Sequence, residues 1–214
     1  MGDRTMNFLA HLYLADPTPE ALMGSLLGDF VKGQPDERFG AEVIAGIRLH
    51  RAIDHFTDHH PTVLASKRLI SPLRRRFAGI IVDVVYDYCL CQHWSRFSSG
   101  SLPGFIAATY SALAQYQGYL PERAAIAVQA LIAEDWLSCY GRLDGIGHTL
   151  NRISQRIKRT NSLAGAIEEL EAHEAALCQH FLDFFPALVQ FVNERSSASG
   201  TPLWNPPSPP RSPC

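Results

Sequence analysis

His50, Asp54 and Asp58 stand four residues apart in GIRLHRAIDHFTDHHP, residues 46–61. In a helix that interval is slightly more than one turn, so the three side chains form one slowly drifting stripe on a single face. Val43 and Ile47 fall in the same sector, so the stripe extends an apolar face and is expected to point inward. A buried carboxylate is costly unless it meets a cation, a hydrogen-bond donor or a proton. A metal ion is one solution; pairing with Arg48, Arg51 or Arg74 to Arg76, or a solvated helix end, is the other.

A second pair has the same interval. Asp83 and Asp87 are the only charged residues of FAGIIVDVVYDYCLC, residues 77–91, a segment apolar on every side and therefore read as a buried helix. Two carboxylates one turn apart in such a helix repel unless positive charge lies between them, from a divalent cation or from arginines of another helix. His11 in NFLAHLYLA and Asp29 in GSLLGDFVKG add one candidate each. Together these side chains form a mixed imidazole and carboxylate set that suits manganese, iron or magnesium better than a thiolate zinc site. His55, His59 and His60 lie off the stripe and are read as surface residues. His93, at the end of the buried helix, stands to cap it, to hydrogen-bond or to touch a substrate phosphate.

The elements that must hold these residues are helical nearly throughout, with no run of alternating strands, so the fold class is all-α. Thr18 and Pro19 form a start signal for a helix over about 19–32, stopped at Gly33. A second helix runs to the step at Pro61, and a third covers about 62–96 with a break near Pro72. Further amphipathic stretches lie at about 102–118, 121–140, 143–159 and 162–194, with Pro186 expected to kink or end the last. The 214 residues, 46% of them apolar, suffice for one core. The organisation expected is an extension at 1–5, one helical domain at 6–195 and a flexible Ser- and Pro-rich tail at 196–214.

A net charge of -2 gives no global pull toward nucleic acid or membrane. The apolar window 77–91 is too short for a bilayer span. The odd set of five cysteines, Cys89, Cys91, Cys139, Cys178 and Cys214, contains no CxxC pair, which fits a reduced, cytoplasmic setting. Cys89 and Cys91, two apart, face different sides of their helix and read as core packing.

MNFLAHLYLA, GSLLGDFVKG, GIRLHRAIDHFTDHHP and DVVYDYCLCQHWS, in that order and at similar intervals, resemble the acyl carrier protein phosphodiesterases of bacteria over about residues 6–195. The resemblance implies a divergent member of the HD phosphohydrolase group: an HD-like helical domain that uses a divalent metal, manganese by preference. It implies hydrolysis of the phosphodiester joining 4'-phosphopantetheine to a serine of holo-acyl carrier protein, giving apo-carrier protein. His11, Asp29, His50, Asp54, Asp83 and Asp87 occupy the matching motifs, with His11, Asp29, His50, Asp54 and Asp83 as the candidate metal ligands. The adjacent His-Asp pair of HD proteins appears only in reversed order, as Asp54-His55 and Asp58-His59. Tyr88 stands where relatives are expected to carry histidine and would meet phosphate through its hydroxyl.

With metal present, an activated water would attack phosphorus, and Asp54, Asp58, Asp87 or His93 would move its proton. Lys32, Arg48 or Arg51 would neutralise phosphate charge. Two basic segments, SKRLISPLRRRF and NRISQRIKR, offer a docking face for a small acidic carrier protein, with Arg152 and Arg156 at helical spacing in the second. The alternatives from other classes are an HD-type hydrolase of a nucleotide or small phosphate ester, and a non-catalytic helical interaction protein. The oligomeric state is left open.

Overall fold

The computed structural model describes residues 8–198, with side chains to 195. The expected extension at 1–5 and nearly all of the expected tail at 196–214 lie outside the described residues. Among those described there are ten α-helices, two short 3-10 turns and no strand. The helices are α1 Leu9–Tyr13, α2 Pro19–Leu27, α3 Ala41–His59, α4 Pro61–Leu69, α5 Ala78–Gln92, α6 Leu102–Gln115, α7 Glu122–Ala133, α8 Trp136–Cys139, α9 Leu143–Arg156 and α10 Ile167–Ala198. The all-α expectation therefore holds.

Local chemistry sets the helix starts. The Thr18 hydroxyl accepts from the Ala21 amide ahead of Pro19 in α2, and Ser101 accepts from Gly104 ahead of α6. The buried stripes of α5 and α10 pack against each other, and Phe181, Phe184 and Phe185 of α10 meet Tyr86, Phe97 and Tyr13. The helices α2 and α3 approach closest. A Cβ on Gly46 would lie 2.8 Å from the Ala21 carbonyl oxygen and 2.9 Å from Gly24 Cα, so neither backbone leaves room for a side chain there.

Several expected boundaries move. The first long helix ends at Leu27, so Asp29 stands in the turn beyond it. The expected helix 62–96 is two helices, α4 and α5, separated by a segment that Glu169 fastens: its carboxylate accepts from the Ser71 amide at 2.9 Å and pairs with Arg74 at 3.3 Å. The expected helix 121–140 breaks at Asp135, whose left-handed φ of 48° ends α7 and begins α8. Pro186 neither ends nor kinks α10; the one non-helical residue there is His173. The proline removes a single amide donor, while buried Phe184, Phe185 and Leu188 hold both flanks against the bundle.

Cys89 is not a free core thiol. It forms a disulfide with Cys178, with Cα atoms 5.3 Å apart, and links α5 to α10. The residues Ile167–Arg195 of α10 are long and apolar enough to cross a membrane by length and composition, a feature the 77–91 window does not represent. In this fold the stripe Leu170, Leu177, Phe181, Phe185 and Leu188 is buried in the helical core.

Candidate metal centre

Three segments bring the polar groups together. His11 comes from α1, Asp29 from the turn after α2, and His50 and Asp54 from one face of α3. His11 Nε2 lies 3.3 Å from Asp54 Oδ1, His50 Nε2 lies 3.5 Å from Asp54 Oδ2, and His50 Nε2 lies 3.6 Å from Asp29 Oδ1. Ligand atoms held about 2.1 Å from one ion stand roughly 3.0–3.4 Å apart, so these spacings suit a shared cation with little adjustment. The two imidazoles stack with centroids 4.0 Å apart. His11, His50 and Asp29 are buried, whereas the Asp54 side chain is 19% exposed and forms the open edge.

The surrounding chain fixes this arrangement. Asp87, fully buried, accepts from the Leu9 amide at 3.0 Å and the Ala10 amide at 2.9 Å, so it holds the first turn of the helix that carries His11. Ser25 of α2 donates to the His11 carbonyl at 3.1 Å. The guanidinium of Arg51 donates to the carbonyls of Val31 at 2.6 Å and Gly33 at 2.7 Å, which ties the turn after Asp29 back to α3. Gly28 gives the His50 ring its space, because a Cβ there would overlap the imidazole carbons.

Electrostatics shows an unmet demand for positive charge. Burial pulls the His50 imidazole down, but Asp29 and Asp54 outweigh it and hold the ring at about 9. Burial and the neighbouring His50 keep His11 below its ordinary value. Asp54 loses hydration, yet the two imidazoles hold its carboxyl well below the usual carboxylate range. The buried atoms His11 Nδ1, His50 Nδ1 and Asp29 Oδ2 have no hydrogen-bond partner among the described residues. A proton on His50 meets part of the demand, and a divalent cation on the converging Nε2 and carboxylate atoms would meet more of it. The residues present therefore fit a metal ion of the kind that takes nitrogen and oxygen ligands.

The remaining candidates divide. Asp83 is partly buried and raised to about 8 by burial, with Lys67 pulling the other way and Asp54, Asp58 and Asp87 adding to the rise; it is not among the converging ligand atoms. Asp87 is likewise raised to about 7 by burial against the pull of the α1 amides, and its carboxylate makes the backbone bonds just described. Asp58 does not continue the inward stripe: it is 52% exposed and its carboxylate binds Lys67 at 2.8 Å. The drift of the stripe carries it past the helix face that meets α1.

Tyr88 donates to Glu174 of α10 at 2.5 Å, and burial together with that carboxylate pushes the phenol up to about 12. His93 closes α5 as its C-cap residue and does not join the cluster. Lys32 and Arg48 are exposed, and Arg51 serves the loop as described. Arg152 and Arg156 lie over the Trp136 ring, 3.7 and 5.1 Å from its centroid, with Arg152 also 3.8 Å from Glu134. Sequence reasoning passed over Gly28, Ser25 and the placement of Lys67. Gly24 on α2 and Gly28 at its C-cap, four apart, carried a readable sign of close backbone approach; Ser25 and Lys67 carried none.

The family model described as acyl carrier protein phosphodiesterase matches residues 6–188. A protein of Photorhabdus laumondii named acyl carrier protein phosphodiesterase is 36% identical over 186 residues, 86% of this chain and 94% of its own length. Proteins of the same name from Enterobacter sp. strain 638 and Escherichia coli O157:H7 are each 37% identical over 192 residues, 89% of this chain and 100% of theirs. No solved structure matches the chain.

Proposed function

The chain belongs to the acyl carrier protein phosphodiesterase family, and from that premise we propose that it hydrolyses the phosphodiester joining 4'-phosphopantetheine to a serine of holo-acyl carrier protein. The observation that carries the reading is the convergence of His11 Nε2, His50 Nε2 and the Asp54 carboxylate, with Asp29 Oδ1 beside His50 Nε2. These four would hold a divalent ion, manganese being the one that the family resemblance implies. A divalent ion there supplies a water acidic enough to ionise near neutral pH and positive charge for the phosphoryl oxygens. The HD-type kinship belongs to the same proposal, supported by a histidine and an aspartate on one face of α3 completed by a histidine from α1.

The chain's own residues then have distinct tasks. Asp54, at the open edge, faces the side from which a phosphodiester would arrive. Asp83, raised to about 8 without a metal, would be drawn down by a nearby dication and left ionised to accept the attacking water's proton. The water oxygen bonds to phosphorus, the bond from phosphorus to the serine oxygen breaks, and the proton departs on the serine hydroxyl. Buried His11 and His50, locked by Ser25, Asp87 and Gly28, keep the ligand atoms in register so that little reorganisation accompanies the reaction.

The test is the mass of holo-carrier protein after incubation with the chain and manganese. Loss of the phosphopantetheine mass, abolished by His50→Ala and Asp54→Ala, is expected. An unchanged carrier mass alongside rapid hydrolysis of nucleotides would transfer the site to the small-ester class.

A further inference from the structure

We propose that Lys67 is the cation that receives the substrate phosphate at the open edge of the metal centre, an assignment that rests on the phosphodiesterase reading above. Its position is fixed from both sides. The residue before it, Ser66, is fully buried, and its hydroxyl hydrogen-bonds the Tyr86 hydroxyl at 2.8 Å and His180 Nδ1 at 2.9 Å, which locks α4 to α5 and α10. The Lys67 ammonium donates to Asp58 Oδ1 at 2.8 Å. Its tip also passes over α5, with Cε 3.8 Å and Nζ 4.0 Å from where a Cβ on Gly79 would stand.

Both neighbours point to the centre. Asp58 lies one turn beyond Asp54 on α3, and Gly79 lies one turn before Asp83 on α5, so the ammonium is held one turn from each of the helix positions that carry the edge carboxyls. The lysine side chain is only 20% exposed, unlike the ordinary solvated lysine of a helix surface.

A stabilising ion pair does not account for this placement, because Asp58 is half-exposed and such pairs contribute little. Charge balance at the site does. Asp29, Asp54 and, once ionised, Asp83 together exceed the charge of one divalent ion by one, and a phosphodiester is itself an anion. Without a fixed cation beside the ion, the edge would repel its substrate, and most strongly in the transition state, where charge on the phosphoryl oxygens must be stabilised. Asp58 then acts as the positioning partner that aims the ammonium.

The experiment uses the full chain loaded with manganese and the variants Lys67→Met, which keeps length and removes charge, and Lys67→Arg, which keeps charge. Three quantities are read: kcat and KM on holo-carrier protein, the Kd of inorganic phosphate, and Tm with manganese occupancy. Lys67→Met is expected to lower kcat/KM at least 100-fold and to raise the phosphate Kd at least 10-fold, at wild-type Tm and occupancy, while Lys67→Arg restores most of both. Phosphate Kd and kcat/KM within threefold of wild type in Lys67→Met would overturn the assignment. If Lys67→Met unfolds, Lys67→Gln is read by the same criteria, and a second unfolded variant assigns the lysine to stability instead. If the wild type leaves holo-carrier protein intact, the phosphodiesterase reading fails, and the phosphate Kd alone decides Lys67: a 10-fold weakening sustains its role and an unchanged value ends it.

Discussion

The side chains that matter most to the centre include two that cannot ligate anything in it. Gly28 has no Cβ because the His50 ring occupies that volume. Gly28→Ala should push the imidazole out of register with Asp29 and Asp54, weakening manganese at least 10-fold while the helical content stays near wild type; a titration of manganese into the metal-free variant reads this, and unchanged affinity would show that the ring can move aside. Asp87 is the second. Its two oxygens accept from consecutive α1 amides, and burial raises its carboxyl from the ordinary value to about 7. A raised carboxyl is a group whose protonated form the fold prefers, so its contribution is fully present below the unfolded value, about 3.8, and is lost as pH rises to about 7. Asp87→Asn should therefore flatten that part of the stability curve of the metal-free protein between about pH 4 and 7. It should also cost roughly 1–3 kcal/mol at low pH, since an amide group would face an amide donor. Urea melts of both proteins across that range test it, and parallel curves would refute the assignment.

Helices differ in how far their sequences announce what they do. The i, i+4 interval in α3 led correctly to an inward polar stripe through His50 and Asp54, because a period near 3.6 keeps such residues on one face. It overreached by one turn at Asp58, where α3 has passed the region that α1 covers. In α5 the same interval was ambiguous: Asp83 and Asp87 share a face, but only Asp87 is held by the α1 amides, a distinction made by a partner 77 residues away in sequence. Asp29 was legible as a candidate and its loop was not, since the helix was expected to continue to residue 32 and instead stops at Leu27. Pairing between α2 and α3 was not anticipated, although Gly24, Gly28 and Gly46 were in view. That pairing sets the distance between Asp29 and His50. Gly46→Ala would put a methyl group 2.8 Å from a backbone oxygen and 2.9 Å from a backbone carbon, positions that cannot yield as a flexible side chain does. The variant is expected to lose about 1–3 kcal/mol by overpacking and to lose activity by more than its stability explains, as α3 separates from the helix that leads into the Asp29 turn. Denaturation and turnover measured on one preparation separate the two effects.

At the scale of the whole molecule, several of the arginines that made the sequence look locally basic have internal duties. Arg74 is shared among Glu168, Glu169 and the Ser162 carbonyl, Arg75 holds the Ile70 carbonyl, and Arg152 packs on Trp136. The SKRLISPLRRRF segment is therefore weaker as a docking face than its composition implied, and within it Lys67 turns inward. Just past the end of α9, by contrast, Lys158 and Arg159 are exposed beside Arg156, so the basic face expected from NRISQRIKR is reduced to residues 156–159. A strongly acidic carrier protein would be steered there by long-range attraction that salt screens over about 10 Å at 0.1 M. Reversing Arg152 would remove its packing on Trp136 along with its charge, so the informative change is Lys158→Glu with Arg159→Glu. That pair should raise KM for holo-carrier protein about 3- to 10-fold at low salt, flatten its dependence on ionic strength, and leave hydrolysis of bis-p-nitrophenyl phosphate at the wild-type rate, because the small ester needs the centre but no docking face. Equal losses on both substrates would mean that the damage reaches the metal centre. Unchanged KM at low salt would remove α9 from the docking surface and leave the open edge around Asp54 and Lys67 as the whole of the carrier protein's landing site.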